Sequence, residues 1–470
     1  MFLFKPMPLG VGIFLIALGA AFANPPDGKI HLSYWEKWSG SEENAMQRVV
    51  DQFNHSQDHI VVDFLSVGAV ERKTLLATAG GDPPDISGIY LGNVCSFADR
   101  NALTPLDDYI REDGSTPEQF LSRYAPAYSS MGSYQGRIWG VPSTPTTVAL
   151  YWNKDCFRAA GLDPERPPRT LAELKSMSDK LTLRDASGSL KQVGFLPQMS
   201  GGVIWAFSQW FGGQLFDGKN ITIGTNHANL APYQWLADTS RQCGVENIRR
   251  LSSTFGSLAT PEDPFMSGKV AMLFDGVWRS HYIHQFAPGL KYGVTGWPEV
   301  QPGITDFTIA DADMLVIPAG TKHPREAWEF LRYVSSPNLS AQRAEDLTGT
   351  ELVCFLQEKA SPLEQWSPYF ASHHTDPDIA IFRRLADSPH AVMVPQVGIW
   401  EQYSRELGTA FDEVRLELQT PEQALQHAQA RVEDSWQWHL ESLARRQSLA
   451  SSATAQVAPA AAKPPVAPSP

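Results

Sequence analysis

Alternating strand and helix patterns, a length sufficient for two or three units, and one apolar strand that runs straight into a helix predict an α/β fold in two lobes for this chain of 470 residues. Ile30 to Trp35 reads as a first strand. Ser39-x-x-Glu42 reads as a capping box, opening a helix with Met46, Val49, Val50 and Phe53 on one face. Ile60 to Leu65 reads as the next strand, which completes a βαβ unit with parallel strands. A helical stretch, Leu75 to Thr78, follows, and Asp85 to Tyr90 makes a third strand.

The stretch from Thr147 to Leu174 marks the passage into a second unit. Its apolar run, Val148 to Trp152, ends in Asn153-Lys154-Asp155, which can cap the helical turn that Gly161 stops. Thr170-Leu-Ala-Glu173 then opens a helix with Leu174, Met177 and Leu181 inward. Further strands are expected at Val270 to Phe274 and at Met314 to Ile317. Pro324 starts a helix that faces Ala327, Leu331 and Val334 inward, and Thr420-Pro-Glu-Gln423 caps one reaching about Leu443.

Lys5, the apolar core Val11 to Leu18 and Ala21-Phe22-Ala23 form a secretory leader, residues 1–23, so export to the periplasm is expected. No cysteine stands near the cleavage site to carry a lipid. Residues 447–470, almost wholly Ala, Pro and Ser, are expected to be disordered. The formal charge of −13 argues against a nucleic-acid partner. Four cysteines, Cys95, Cys156, Cys243 and Cys354, allow free thiols or two disulfides in any of three pairings. No metal or cofactor is expected, since no Cys-x-x-Cys or Cys/His cluster occurs and His373-His374 with Asp376 and Asp378 reads as a solvated turn. Fourteen tryptophans suit a sugar cleft, because flat rings stack on the apolar faces of sugars.

The Tyr151-Trp-Asn-Lys-Asp-Cys-Phe157 segment, with Ala160-Gly-Leu162 after it, resembles the lobe crossing of bacterial extracellular solute-binding proteins. Trp35-Glu-Lys-Trp38-Ser-Gly40, Gly81-Asp82-Pro83-Pro84-Asp85, Phe265-Met-Ser-Gly-Lys-Val-Ala-Met272 with Gly276-Val-Trp278, Leu315-Val-Ile-Pro-Ala-Gly-Thr-Lys322 and Val394-Pro-Gln-Val-Gly-Ile-Trp400 are similar to its other blocks. The resemblance implies the class II periplasmic-binding-protein fold: two α/β lobes on a hinge, closing on ligand between them. It implies lobe 1 over 24–145 with 303–348 returning to it, and lobe 2 over 146–302 completed by 349–446. It implies a monomer that delivers carbohydrate to the permease subunits of an ABC importer, within the maltose- and glycerol-3-phosphate-type group. Where the family often has Gly-Gly close to ligand, this chain has Ala310-Asp-Ala-Asp313, which narrows the cleft and adds acceptors.

Open α/β sheets bind ligands beyond the carboxyl ends of their strands, which selects Trp35, Glu36, Trp38, Tyr90, Asp275, Gly276 and Trp278. Asp82 enters through its motif, and Trp205 and Trp210 form a second aromatic cluster. Asp311 is expected to face the cleft and Asp313 to face away; Arg279 pairs with an acidic ligand or with a structural acid. The expected function is therefore binding, with no catalytic residue. The alternatives are capture of a polyol or phosphate ester, and a glycoside-processing enzyme using two of Glu36, Asp82, Asp275 and Asp311.

Overall fold

The computed structural model describes residues 27–336 and 347–457. The expected leader, residues 1–23, and residues 458–470 of the expected tail lie outside them. Ile30–Glu36 pairs in parallel with Ile60–Ser66 on one side and with Ile86–Tyr90 on the other, as a βαβ chain should. Thr308–Val316 runs antiparallel to Ile86–Tyr90, and Val141–Asn153 runs antiparallel to Thr308–Val316.

The strand Val141–Asn153 serves both halves of the molecule, because at 13 residues it outruns its first partner. Its beginning pairs with Thr308–Val316, whereas Val148 to Trp152 pair with Val270–Gly276. Leu190–Phe195 extends that second half in parallel, and Tyr292–Thr295 pairs with the strand's last residues. Alternation then builds two cores from one strand. Val148, Leu150 and Trp152 join a core that continues to Trp210 and Trp235; Ala149 and Tyr151 join another with Val270, Phe265 and Phe382.

Local chemistry explains where the helices start and stop. Asn153 accepts from the backbone N–H groups of Asp155 and Cys156, at 3.0 and 3.1 Å, and Gly161 ends that turn at φ 70°. Thr170 caps Leu171–Leu181 by accepting from Glu173 at 3.2 Å. Ser39 does not cap the first helix. Gly40 takes that position at φ 64°, and Ser41–Ser56 follows with Met46, Val49, Val50 and Phe53 buried as expected.

Two boundaries differ from the sequence reading. Gly349–Leu356 packs on Ser41–Ser56 and Pro324–Val334, against the first half of the sheet, whereas Ile379–Ala386 reaches the second core; the packing therefore changes sides beyond residue 356 and not at 349. The last helix is Pro421–Val457, so it passes both Leu443 and the expected start of a disordered tail at 447. Thr420 and Gln423 form the expected reciprocal cap at its start. All four cysteines are free and buried, with the Cys95 thiol pushed up to about 12 by burial.

Candidate functional site

A cavity of roughly 210 Å³ opens where the two halves meet. The crossing strands supply Thr146, Val148, Ile309 and Asp311. Val270–Gly276 ends in Phe274 and Asp275, the next helix begins with Trp278, and Met199, Val203 and Trp205 close the far wall. Strand ends thus deliver the polar groups while the flanking turns deliver the rings.

Each ring has a cause for its position. A Cβ on Gly276 would come 2.2 Å from Cζ3 of Trp278, so the indole occupies the space that glycine leaves. Trp205 meets Trp400 edge to face, with ring centroids 5.8 Å apart. Asp275 accepts from the Gly276 N–H at 2.8 Å and from Arg279 Nε at 2.6 Å.

Arg279 is a structural cation. It is 5% exposed, and its other prong donates to Asp263 at 3.0 Å, so both of its acid partners belong to the protein. Trp210 is likewise core and not cleft: it is 1% exposed, packed among Phe207, Trp235, Phe274 and Trp297, with its indole N–H donated to the Pro298 carbonyl. Asp82 stands in the exposed C-terminal cap of Val70–Gly80, its N–H donated to Ala77. The active member of that motif is Asp85, which accepts from the Ser33 N–H at 2.9 Å and from the Thr321 hydroxyl, tying the first strand to the segment after Thr308–Val316.

The first half of the sheet contributes a polar cluster built around Lys37, which the sequence did not single out. Lys37 Nζ lies 2.8 Å from Asp313 and 3.1 Å from Glu36, and 4.5 Å from the centre of the Tyr90 ring, which is 54% exposed. Burial disfavours the ammonium, yet Asp313 and Glu36 raise Lys37 above its ordinary value. Glu36 is wholly buried and accepts from the Tyr34 hydroxyl at 2.8 Å. It anchors Lys37 from below and does not line the cavity. Trp38 is buried with Lys37 and Lys359 near its ring, while Trp35 is half-buried on the other face of its strand from Tyr34 and Glu36.

Asp311 and Asp313 do not point to opposite sides. Two residues apart on a strand, they share one face, and the alternate residues Ala310 and Ala312 are buried on the other. Asp313 is claimed by Lys37 and by the Thr144 hydroxyl at 2.6 Å; burial is the largest influence and opposes its charge, but Lys37, Lys359 and the Thr144 hydroxyl together hold the carboxyl low. Asp311 reaches the cavity, accepts from the Ala312 N–H at 2.8 Å, and is pushed up to about 7 by burial. Larger depressions elsewhere, such as one of roughly 350 Å³ beside Lys175, Trp235 and Gln242, sit on the flanks of helices.

A two-halved α/β protein with an aromatic and acidic cavity between its halves has the form of a ligand-binding protein. The chain belongs to the family described as bacterial extracellular solute-binding protein, which it matches over residues 39–338. It is similar to the solved structure of CpMnBP1 with mannobiose bound, with a TM-score of 0.75 and 27% identity over 86% of this chain and 99% of that one. A maltotriose-binding protein of Pyrococcus abyssi is 22% identical over 67% of this chain and 64% of its own. The sn-glycerol-3-phosphate-binding periplasmic protein of Yersinia pseudotuberculosis is 24% identical over 70% of this chain and 75% of its own.

Proposed function

We propose that this protein captures a carbohydrate between its two halves and presents it to the permease of an ABC importer, acting as a periplasmic monomer without catalysis. The observation that carries this reading is the cavity itself: Trp205 and Trp278 offer faces for a sugar ring, and Asp275 and Asp311 offer acceptors for its hydroxyls. Similarity to proteins that bind mannobiose and maltotriose supports the same class of ligand. The phosphate-ester alternative loses its main support with Arg279, whose guanidinium is already held by Asp263 and Asp275.

Closure follows from the strand plan. Val141–Asn153 and Thr308–Val316 run through the junction, so bending them moves the halves together around the cavity. Ligand stabilises the closed form only through contacts made to both halves at once. The test is a thermal-shift and calorimetric screen of mono-, di- and trisaccharides beside glycerol phosphates, with chromatography of the sugars after incubation. A sugar at a hundred times its dissociation constant should add about 2.7 kcal/mol of stability and be recovered intact. Cleavage of the sugar, or a response to phosphate esters alone, would overturn the reading.

A further inference from the structure

We propose that the ligand of this cavity carries a protonated amine, making its class a basic amino sugar whose ammonium pairs with Asp311. The inference deepens the carbohydrate reading and rests on it. It begins from which charges around the cleft are already matched. Lys37 has Asp313 and Glu36, at 2.8 and 3.1 Å. Arg279 has Asp275 and Asp263, at 2.6 and 3.0 Å. Lys359 has Glu42, at 3.4 Å. Each cation thus has an acid of its own from the protein. Asp311 is the cavity acid that no cation touches: among the described residues it makes no ion pair, and it accepts from the N–H of its own neighbour, Ala312.

The surroundings make that unmatched acid costly as an anion. Val148, Ile309, Phe274, Trp205 and Trp278 line the same cavity, and Asp313 adds like charge from the same strand face. Burial, the largest cause, and Asp313 together push its carboxyl up to about 7, against the Ala312 N–H and the weaker pull of Lys37. Asp275 lines the same cavity with Arg279 against it, and the buried Tyr128 hydroxyl senses Asp311. An ammonium entering the cavity would supply the missing counter-charge, and the indole faces would add to its attraction. A neutral sugar can offer Asp311 hydroxyl hydrogens only. A phosphate or uronic acid would bring a further negative charge into a site whose cations are already taken.

The test is calorimetry on the full-length protein with matched sets at pH 7: glucosamine, mannosamine and galactosamine, each beside its N-acetyl form and its parent hexose, together with the corresponding disaccharides. The expected result is roughly tenfold or greater preference for an amine over both of its partners, the scale of one charge-assisted pair. At pH 6 in buffers of differing ionisation heat, binding the amine should release up to about one proton, since Asp311 must ionise to pair. In Asp311→Asn both the preference for the amine over its parent sugar and the proton release should vanish. If the parent or N-acetyl sugar binds at least as tightly as the amine, the amine proposal fails and the carbohydrate reading stands. If no member of any set binds, both fall. An amine preference that survives in Asp311→Asn also overturns the assignment.

Discussion

Replacing Arg279 by methionine separates a structural cation from a ligand-binding one. The side chain sits 7% exposed between Asp263, 4% exposed, and Asp275, 17% exposed, with two of its nitrogens committed to the two acids. Asp263 also caps the following turn by accepting from the N–H groups of Phe265 and Met266, at 2.9 and 3.0 Å. Removing the guanidinium leaves two carboxylates with no other cation recorded against them, and breaking a buried pair from one side costs about 3–5 kcal/mol. Retained backbone donors at Asp263 and Gly276 place the expected loss toward the lower end, about 3 kcal/mol. Urea unfolding followed by tryptophan fluorescence measures it as a shift in midpoint at unchanged slope. Arg279→Lys should fall between, because an ammonium restores charge but not the two-pronged geometry. If Arg279→Met unfolds at the wild-type midpoint and instead loses ligand affinity, the arginine faces the ligand and the structural argument is wrong.

Trp278→Ala should weaken sugar binding by about 1–3 kcal/mol with little change in melting temperature, read by calorimetry; unchanged affinity would remove this ring from the site. Asp311 is raised to about 7 in the fold, above its ordinary value of 3.8, so its favourable share of stability is complete below that ordinary value and lost as pH rises through 7. Asp311→Asn should therefore be more stable than wild type at pH 8, by about 1.4 kcal/mol or more, and lose that advantage near pH 4; denaturation at both pH values checks the sign. His439, on the last helix, reaches Asp99 at 2.9 Å in a buried contact that Gly398 makes room for. His439→Ala should cost about 1–3 kcal/mol of unfolding free energy, and an unaffected midpoint would show that the last helix docks without it.

Patterns that depend on neighbours along the chain were legible in the sequence, and those that depend on partners across the sheet were not. The caps at Asn153, Thr170 and Thr420 could be read because acceptor and donor lie within three residues of each other. The reach of Val141–Asn153 could not, since Pro142, Pro145 and four hydroxyl residues hide an extended run that only its pairing with Thr308–Val316 reveals. Tryptophans carried the same ambiguity. Trp205, Trp210 and Trp278 have equal chemistry in the sequence, and what separates core from cavity is the ring of aromatics around Trp210 and the gap beside Gly276. Lys37 was hidden between two residues that were singled out, Glu36 and Trp38, because its importance comes from Asp313, far along the chain. Asp311 and Asp313 show how such a partner assigns roles. Both acids lie on one strand face, and Lys37 neutralises Asp313 alone, so the contrast between a matched acid and an unmatched one is created by a contact from the first strand's end. On the proposed reading, the specificity of this cleft resides in which charges the fold pairs off before any ligand arrives.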